Sequence, residues 1–335
     1  MLTNPNNTAI VILNWNGRAL LEKFLPSVIQ HSAGAVIYVA DNASSDDSIA
    51  FLASRFPSVK IIQNPENYGF ANGYNHALKH VSEEILVLLN SDVEVTSNWL
   101  SAPLQIFETM PHVAAIQPKI LDYKDKTAFE YAGAGGGFID KFGYPFCRGR
   151  IFDSLEKDYG QYNDTTEIFW ASGACMFIRK SDFELNQGFD GDFFAHQEEI
   201  DLCWRLNNNN RKVFYCGESV VYHVGGATLN EGNPHKTYLN FRNSLFMLLK
   251  NLPKSQIFSV IFMRLILDGL AGGNFVFRGK ISHMFAIVKA HFGFYGSAVK
   301  MYRKRRGKQA SKYYRVTNIV CDYFFRGRKK YADLF

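Results

Sequence analysis

Short apolar runs alternate with amphipathic stretches along the first 120 residues of the chain. AIVIL (9–13), VIYVA (36–40), VKIIQ (59–63) and ILVLL (85–89) show no polar alternation, which is typical of strands buried on both faces. VAAIQP (113–118) continues this series as a fifth strand. Amphipathic stretches such as ALLEKFLPSVIQ separate the runs, as helices do between parallel strands. The pattern therefore predicts an α/β domain with a mostly parallel sheet flanked by helices.

The pattern of the remaining chain is mixed at first and then helical. IFWASGACMFIRK (168–180) has strand character, FFAHQEEIDLCWRL (193–206) predicts a turn and a helix, and KVFYCGESVVYHVGG (212–226) predicts a pair of strands. From Tyr238 onward the apolar residues follow helical spacing. We therefore place a boundary near residue 235, between an α/β domain (1–235) and a helical C-terminal region (236–335).

Composition excludes several classes of protein and divides the chain by charge. A hydrophobic content of 47% with 20% charged residues excludes disorder, coiled coil and collagen as dominant classes. Residues 236–335 carry 20 Lys and Arg against three acids, so their net charge is +17 and that of the remainder is −11. Residues 300–315 contain eight basic residues and no acid. This run favours an anionic membrane surface over a merely solvated helix or a nucleic acid, which the acidic domain would repel.

Cysteine usage and hydropathy predict a cytoplasmic location. The five cysteines are scattered and form no CxxC motif, which favours reduced thiols over a disulfide framework or a structural zinc site. The first ten residues lack the layout of a signal peptide. The apolar stretch 257–273 is interrupted by Arg264 and Asp268, which favours a core or interfacial helix over a membrane span. We expect a peripheral protein at the inner face of the plasma membrane.

Polar side chains follow the predicted strands where a parallel sheet binds its ligands. Asn14, Asp41 and the triplet Asn90–Ser91–Asp92 occupy these positions. Asp41 is suited to a nucleotide base or ribose, or it belongs to an ordinary helix N-terminus. Asp92 is suited to a hard divalent cation bridging a phosphate, or it is a turn residue.

Two further groups are candidates for chemistry. Glu198, Glu199 and Asp201 crowd the start of the predicted helix, where like charges raise a carboxylate pKa and favour a general base. Their alternative role is to complement the helix dipole. His223 follows a strand and is either structural or a metal ligand beside Asp92. A P-loop, a GxSxG elbow and zinc-type His/Cys spacing are all missing from the sequence.

Seven motifs in order resemble the inverting family 2 glycosyltransferases with the GT-A fold, in particular their bacterial rhamnosyltransferase-like branch. The resemblance covers about residues 8–250 and implies a GT-A type, Rossmann-like sheet, here followed by a helical, basic C-terminal extension. The motifs are VILNWNG (11–17), VADNASSDDS (39–48), NPENYGFANGYN (64–75), LLNSDVEV (88–95), WASGACMFIRK (170–180), FFAHQEEIDLCWRL (193–206) and VVYHVGG (220–226).

The resemblance also implies a role for each candidate residue. Asp92 and His223 would bind Mg²⁺ or Mn²⁺, with Asn90 standing where the family's DxD motif has its first acid. Glu199 would be the general base, with Glu198 and Asp201 as rivals. Donor-binding residues would be Asn14, Asp41, Asn42, Asn67, Gly69, Asn75, Asn90 and Ser91. Acceptor-side residues would be Trp170, Ser172 and Gly173.

The implied reaction is transfer of a sugar, with inversion, from a UDP- or dTDP-linked donor. The acceptor would be a saccharide hydroxyl, and the expected saccharide is lipid-linked and belongs to cell-envelope polysaccharide synthesis. Two alternatives remain open from the sequence. A nucleotidyltransferase of similar fold would carry a Gly-rich GxGxR-type loop where this chain has NWNG. A catalytically inactive membrane-associated scaffold is the other.

Overall fold

A mixed β-sheet organises the protein in this computed structural model, which describes residues 7–225 and 232–335. Nine of the strands form the central sheet, and the other four, β7 to β10, form a small antiparallel sheet. The strands are β1 (Thr8–Asn14), β2 (Val36–Asp41), β3 (Lys60–Gln63), β4 (Ile85–Asn90), β5 (Val93–Val95), β6 (Val113–Asp122), β7 (Gly137–Ile139), β8 (Pro145–Cys147), β9 (Arg150–Ile151), β10 (Ser154–Leu155), β11 (Thr165–Ile168), β12 (Cys175–Arg179) and β13 (Lys212–His223).

Helices cover both faces of the central sheet. In β1, Ile10 and Ile12 pack with α1, α2 and α4, whereas Ala9 and Val11 belong to the cluster that includes α3, α6 and α7. This burial on both faces explains the apolar runs of the sequence. The helices are α1 (Arg18–His31), α2 (Ser48–Arg55), α3 (Gly69–Ala77), α4 (Ser101–Thr109), α5 (Lys180–Leu185), α6 (Glu198–Asn208), α7 (Pro234–Asn251), α8 (Ile257–Phe277), α9 (Ile281–Arg303) and α10 (Ile319–Phe324).

The first four long strands form the parallel part of the sheet, in the order β3-β2-β1-β4. Asn14 pairs with Asp41 and Leu13 with Asn90, so the carboxyl ends of these strands meet at one edge. Beyond β4 the sheet becomes mixed, since β12 runs antiparallel to both β4 and β6 while β13 is parallel to β6. The predicted α/β sheet flanked by helices is therefore confirmed, with parallel pairing concentrated in its first half.

The predicted strand pair at 212–226 is wrong in one respect, because β13 is a single strand of 12 residues. Its register against β6 shifts between Cys216 and Val220, which accommodates the polar segment that looked like a turn. Ser219 within this segment is fully buried and its hydroxyl donates to the carbonyl of Trp99 at 2.6 Å. The strand ends at His223, and Gly226 lies outside the described residues.

The C-terminal helices pack directly on the α/β part of the protein. α7 contacts α6 and lies against α9, and Leu245 and Leu248 of α7 join the same core cluster as the sheet residues. α8 and α9 form a helical hairpin on the outer side of α7. Within the described residues, Lys254–Phe277 is the one helical segment that has the length and composition to cross a membrane.

Candidate active site

Asn14 and Asp41 meet at the carboxyl ends of β1 and β2. The Asn14 amide donates to Asp41 Oδ1 at 2.9 Å, and Ser44 donates to both oxygens of Asp41, from its hydroxyl at 2.6 Å and its backbone N–H at 2.8 Å. Asn14 and Asp41 are both buried. Asn14 Oδ1 has no hydrogen-bond partner. A buried carbonyl without a donor is costly, so this atom is suited to a ligand N–H.

Asn42 shapes the loop that follows β3. Its amide donates to Asn67 Oδ1 at 2.9 Å and to the Gly69 carbonyl at 3.0 Å, while its own Oδ1 accepts from Asn64 and from the Tyr68 N–H. These bonds engage both the nitrogen and the oxygen of the Asn42 amide. Asn42 and Asn67 therefore position the loop, and their direct contact with a donor stays a prediction.

Gly69 begins α3 at a point where no other residue fits. Its φ is +70°, which favours glycine, and a Cβ there would lie 2.7 Å from the ring of Phe194. The N–H groups of Phe70 and Ala71 both donate to the carbonyl of Phe194, at 3.1 and 3.3 Å. The predicted donor loop is thus held against the segment that leads into α6.

Both ends of the Asn75 amide bind the backbone of Phe189, and its contact with a donor stays a prediction. Its Nδ2 donates to the Phe189 carbonyl at 2.7 Å, and its Oδ1 accepts from the Phe189 N–H at 3.0 Å. The side chain therefore fixes the approach to the 190–197 loop and has little capacity left for a nucleotide-sugar.

Asp92 and His223 converge because β5 pairs with the end of β13. His223 Nε2 lies 3.1 Å from Asp92 Oδ1 and 3.3 Å from the Asn90 amide nitrogen. His223 Nδ1 lies 3.3 Å from Glu130 Oε1. Burial lowers the pKa of His223, but the carboxylates of Asp92 and Glu130 outweigh burial and raise it to about 10. Glu130 was missed by the sequence analysis because it lies in an irregular loop without a motif.

The chemistry of this pair fits a divalent cation. Asp92 offers an oxygen, and His223 offers a nitrogen once a metal displaces its proton, a set that first-row divalent metals accept. Within residues 7–225 and 232–335, no group of three or more His, Cys, Asp or Glu side chains is arranged to hold a metal ion. A metal here would therefore take its remaining ligands from phosphate oxygens and water. Ser91 is half-buried beside Asp92 at the end of β4.

The segment before α6 combines backbone strain with unsatisfied polar atoms. Phe194, His196 and Gln197 have φ values of 65°, 70° and 74°, which non-glycine residues rarely adopt. Four consecutive side chains each keep a buried polar atom without a partner: His196 Nε2, Gln197 Oε1, Glu198 Oε2 and Glu199 Oε2. Strain and unsatisfied groups together are typical of a functional site.

The three candidate bases differ in their surroundings. Burial raises the pKa of Glu199 to about 7, and its side chain is half-buried. Burial and the neighbouring Glu199 raise the pKa of Glu198 well above its usual range. Asp201 is fully buried, and although burial opposes ionisation, Lys250 and Arg205 lower its pKa. A carboxyl group with a pKa near 7 and a partly exposed side chain is best suited to take a proton, which favours Glu199.

Asp201 braces α6 instead of acting as a base. Its oxygens accept from Arg205 at 2.9 Å, from Lys250 at 2.8 Å and from Asn251 at 2.8 Å. Lys250 also binds Asp190 at 2.6 Å. Two of these partners belong to α7, so the helix that follows the predicted domain boundary holds the start of α6.

Another side chain of α7, that of Asn243, holds the strained loop before α6. The Asn243 amide nitrogen lies within hydrogen-bond distance of three carbonyls, those of Phe193 at 3.0 Å, Ala195 at 2.9 Å and His196 at 2.8 Å. Asn243 is fully buried. No motif signals this role, because Asn243 stands in an ordinary amphipathic helix far along the chain.

The predicted acceptor-side residues separate into two groups. Gly173 lies against Phe70 of α3, and the adjacent Ala174 carbonyl accepts from the Asn90 N–H at 3.0 Å, so this segment borders the edge of the sheet. Ser172 is buried and its hydroxyl accepts from the Ala174 N–H. Trp170 is 2% exposed and its indole N–H donates to the Phe138 carbonyl at 2.9 Å. Trp170 is therefore a core residue, and its predicted place in an acceptor wall is corrected.

Sequence comparison relates the chain to known enzymes. Residues 9–185, more than half of the chain, match the family described as Glycosyl transferase family 2. The N-acetylglucosaminyl-diphospho-decaprenol L-rhamnosyltransferase of Mycobacterium tuberculosis is 24% identical over 244 residues, which cover 68% of this chain and 79% of that protein. Rhamnosyltransferase WbbL of Escherichia coli is 26% identical over 155 residues, which cover 44% of this chain and 58% of that protein.

Comparison with solved structures gives the same architecture at low identity. GalNAc-T7 with UDP, GalNAc and Mn²⁺ aligns with a TM-score of 0.57 and 14% identity over 74% of this chain, which spans about half (48%) of that structure. The mannosyltransferase PcManGT of Pyrobaculum calidifontis, with GDP-mannose and Mn²⁺, aligns with a TM-score of 0.54 and 14% identity, covering 86% of this chain and 87% of that one.

Proposed function

The chain belongs to glycosyl transferase family 2, and we propose that it transfers a sugar, with inversion, from a nucleoside-diphosphate donor to a saccharide hydroxyl. The family and the GT-A fold predicted from the seven motifs are confirmed. The observation that carries the proposal is the row of four unpartnered polar atoms at residues 196–199, in a strained loop that contacts the start of α3. These atoms are suited to substrates that arrive with hydroxyl groups.

The proposed donor is a UDP- or dTDP-linked sugar. Both pyrimidines carry an imide N–H, and Asn14 Oδ1 is a buried acceptor that lacks a donor. Asp41 accepts from the Asn14 amide and thereby fixes which end of that side chain faces the base. Solved relatives are described with UDP or GDP-mannose, which supports a nucleotide-linked donor in general.

A divalent cation, Mg²⁺ or Mn²⁺, is the proposed cofactor. Asp92 and His223 would hold it, and Asn90 lies beside them with its amide 3.3 Å from the imidazole. The cation would supply positive charge to the diphosphate leaving group as its bond to the sugar breaks. Two relatives of known structure are described with Mn²⁺, which supports this cofactor.

Glu199 is the proposed general base. It would remove the proton of the acceptor hydroxyl while that oxygen attacks the anomeric carbon from the face opposite the diphosphate. One C–O bond forms as the bond to the diphosphate oxygen breaks, so a single displacement inverts the centre. The nucleoside diphosphate leaves with the bonding electron pair, and Glu199 holds the proton.

The proposed acceptor is a lipid-linked saccharide of cell-envelope polysaccharide synthesis. The Mycobacterium tuberculosis relative is named for an N-acetylglucosaminyl-diphospho-decaprenol acceptor. A lipid-linked acceptor places the reaction at the cytoplasmic face of the plasma membrane, where the net charge of +17 in residues 236–335 favours anionic lipids. The enzyme would be peripheral there.

The test uses purified protein with UDP- or dTDP-sugars, Mn²⁺ or Mg²⁺ and a prenyl-diphosphate-linked saccharide. We expect release of nucleoside diphosphate and a product of inverted anomeric configuration. Glu199→Gln should abolish transfer while nucleotide binding, measured by calorimetry, is retained. Glu184→Gln is the matched control and should retain transfer, because the Glu184 side chain is 63% exposed and lies outside the site. Pyrophosphate among the products, or transfer by Glu199→Gln, would contradict the proposal.

A further inference from the structure

The helical hairpin of α8 and α9 presents an apolar outer face. Along α9, exposed apolar side chains recur every three or four residues and form one stripe. The exposed apolar residues are Phe258, Phe262, Met263, Ile266, Leu270, Val276 and Phe277 on α8, and Ile281, Phe285, Val288, Phe292, Tyr295, Val299 and Tyr302 on α9. So many exposed apolar side chains on two long helices that contact each other are unusual on a soluble monomer and indicate a binding surface.

The inner face of the hairpin is fixed to the body of the protein by buried polar groups. Arg264 binds Asp268 at 2.7 Å, and Asp268 accepts from Tyr144 at 3.1 Å and lies 3.2 Å from His291 of α9. Arg264 and Asp268 are both buried. The charged residues that interrupt the apolar stretch therefore point inward. The outer face of α8 carries no charge between Phe258 and Phe277.

Charge around this face identifies the occupant. Residues 254–308 contain eleven Lys and Arg residues and one acid, Asp268, which is buried together with its partner Arg264, so ten basic residues and no acid remain. A second copy of the chain would bring the same positive charge against it, and like charges across an interface oppose association. Anionic phospholipids supply the opposite charge together with an apolar interior.

The basic run at 300–315 is only partly free to bind lipid. Lys304 binds Asp190 and Asp192, and Lys300 binds Asp192 at 2.7 Å. Arg305 donates to the carbonyls of Leu249 and Leu252. These residues tie the end of α9 to the rest of the protein, so the run has fewer free charges than its sequence indicates.

We propose that the α8–α9 hairpin is the membrane-inserting element of this enzyme and lies flat in an anionic phospholipid bilayer, with its outer face among the acyl chains. This inference rests on the proposed membrane location and not on the proposed chemistry. Since Lys300 and Lys304 connect the hairpin to Asp190 and Asp192, it would also set the orientation of the active-site loop relative to the lipid surface.

The test is sedimentation of the full chain with vesicles of equal parts phosphatidylglycerol and phosphatidylcholine. The triple variant Phe258→Ser, Phe285→Ser, Phe292→Ser removes three exposed rings without changing the charge. We expect the partition coefficient to fall about tenfold or more for each ring removed. The matched control, Tyr159→Ser with Leu185→Ser, alters two exposed apolar residues outside the hairpin and should bind like the parent.

A second measurement reports depth directly. Phe262→Trp in the parent chain should be quenched by phosphatidylglycerol brominated on its acyl chains, beyond the quenching of the native tryptophans. Nucleotide binding with Mn²⁺ is measured in the same samples. If the parent chain bound nucleotide but not vesicles, the membrane-insertion proposal would be overturned and the proposed function would be unaffected.

Three other outcomes would also overturn the hairpin proposal. One is equal vesicle binding by the parent and the triple variant. Another is a dimer, seen by ultracentrifugation, that the triple variant dissociates while vesicles bind neither protein, which would assign the face to a second copy. The third is resistance of membrane-bound protein to alkaline carbonate, which would mean that α8 spans the bilayer.

Discussion

Replacing Glu199 by glutamine is expected to stop catalysis and to stabilise the fold at the same time. The two effects share one cause, the burial of a carboxyl group that raises its pKa from 4.5 to about 7. Ionised Glu199 is suited to accept a proton, but folding must bury that charge. Glutamine is nearly the same size and carries no charge, so it removes the base and the cost of burial together.

The magnitude follows from linkage between protonation and folding. A carboxyl group whose folded pKa is raised contributes stability below the unfolded pKa of 4.5 and loses it as the pH rises through about 7. A shift of this size corresponds to about 3 kcal/mol in the free energy of unfolding. We therefore expect Glu199→Gln to exceed the parent by about 3 kcal/mol at pH 8 and to match it near pH 4.5.

The assay is urea unfolding of both proteins at several pH values between these limits. Glu184→Gln is the matched control, because the Glu184 side chain is 63% exposed and its replacement should leave the stability difference near zero throughout. In the parent enzyme, the rate of transfer should fall about tenfold per pH unit below pH 7, as Glu199 becomes protonated.

Two results would refute this reasoning about Glu199. If the stability difference between Glu199→Gln and the parent were the same at pH 4.5 and pH 8, the effect would not come from ionisation. If Glu199→Gln were stabilised at pH 8 but still transferred sugar, burial would be confirmed and the assignment of the base would be wrong.

Three further predictions test other parts of the site. Lys250→Met should lower the free energy of unfolding by about 3 kcal/mol, because it removes the cation that buried Asp190 and Asp201 share and leaves them only Lys304 and Arg205 respectively. Lys300→Met, at a 62% exposed side chain, should cost less than about 1 kcal/mol in the same urea assay. Asn243→Ala should lower kcat about tenfold or more, because it removes the amide that binds the carbonyls of the loop before α6. Nucleotide affinity, measured by calorimetry, should be unchanged. An unchanged kcat would mean that this loop keeps its conformation without Asn243. Trp170→Phe should lower stability by about 1 kcal/mol through the lost hydrogen bond; a raised KM for the acceptor would instead return this residue to the acceptor wall.

The parallel part of the sheet could be predicted because burial on both faces leaves a direct mark on the sequence. β1, β2 and β4 are near-continuous apolar runs, and polar residues follow them where the sheet binds ligands. The small antiparallel sheet of β7 to β10 left no such mark, since its strands have only two or three residues each. Periodicity requires longer strands than these.

The roles of individual site residues depended on partners that are distant in the sequence. Asn75 binds the backbone of Phe189, 114 positions away, and Lys250 reaches Asp201, 49 positions away. A motif gives the type of residue but not the atoms that its side chain meets. Residue chemistry suggested Asp92 and His223 as a pair but could not decide it, because their proximity depends on the pairing of β5 with β13.

The packing of α7 has a practical consequence for anyone who produces shortened versions of this protein. A recombinant chain cut at residue 235 would lack Asn243, Lys250 and Asn251, whose side chains hold the start of α6 and the loop before it. Such a fragment would retain all seven signature motifs and the whole of residues 9–185 that match the family, yet it would lack these contacts. Replacement of exposed apolar residues to aid crystallisation should therefore begin with the outer residues of α8 and α9 and leave α7 intact.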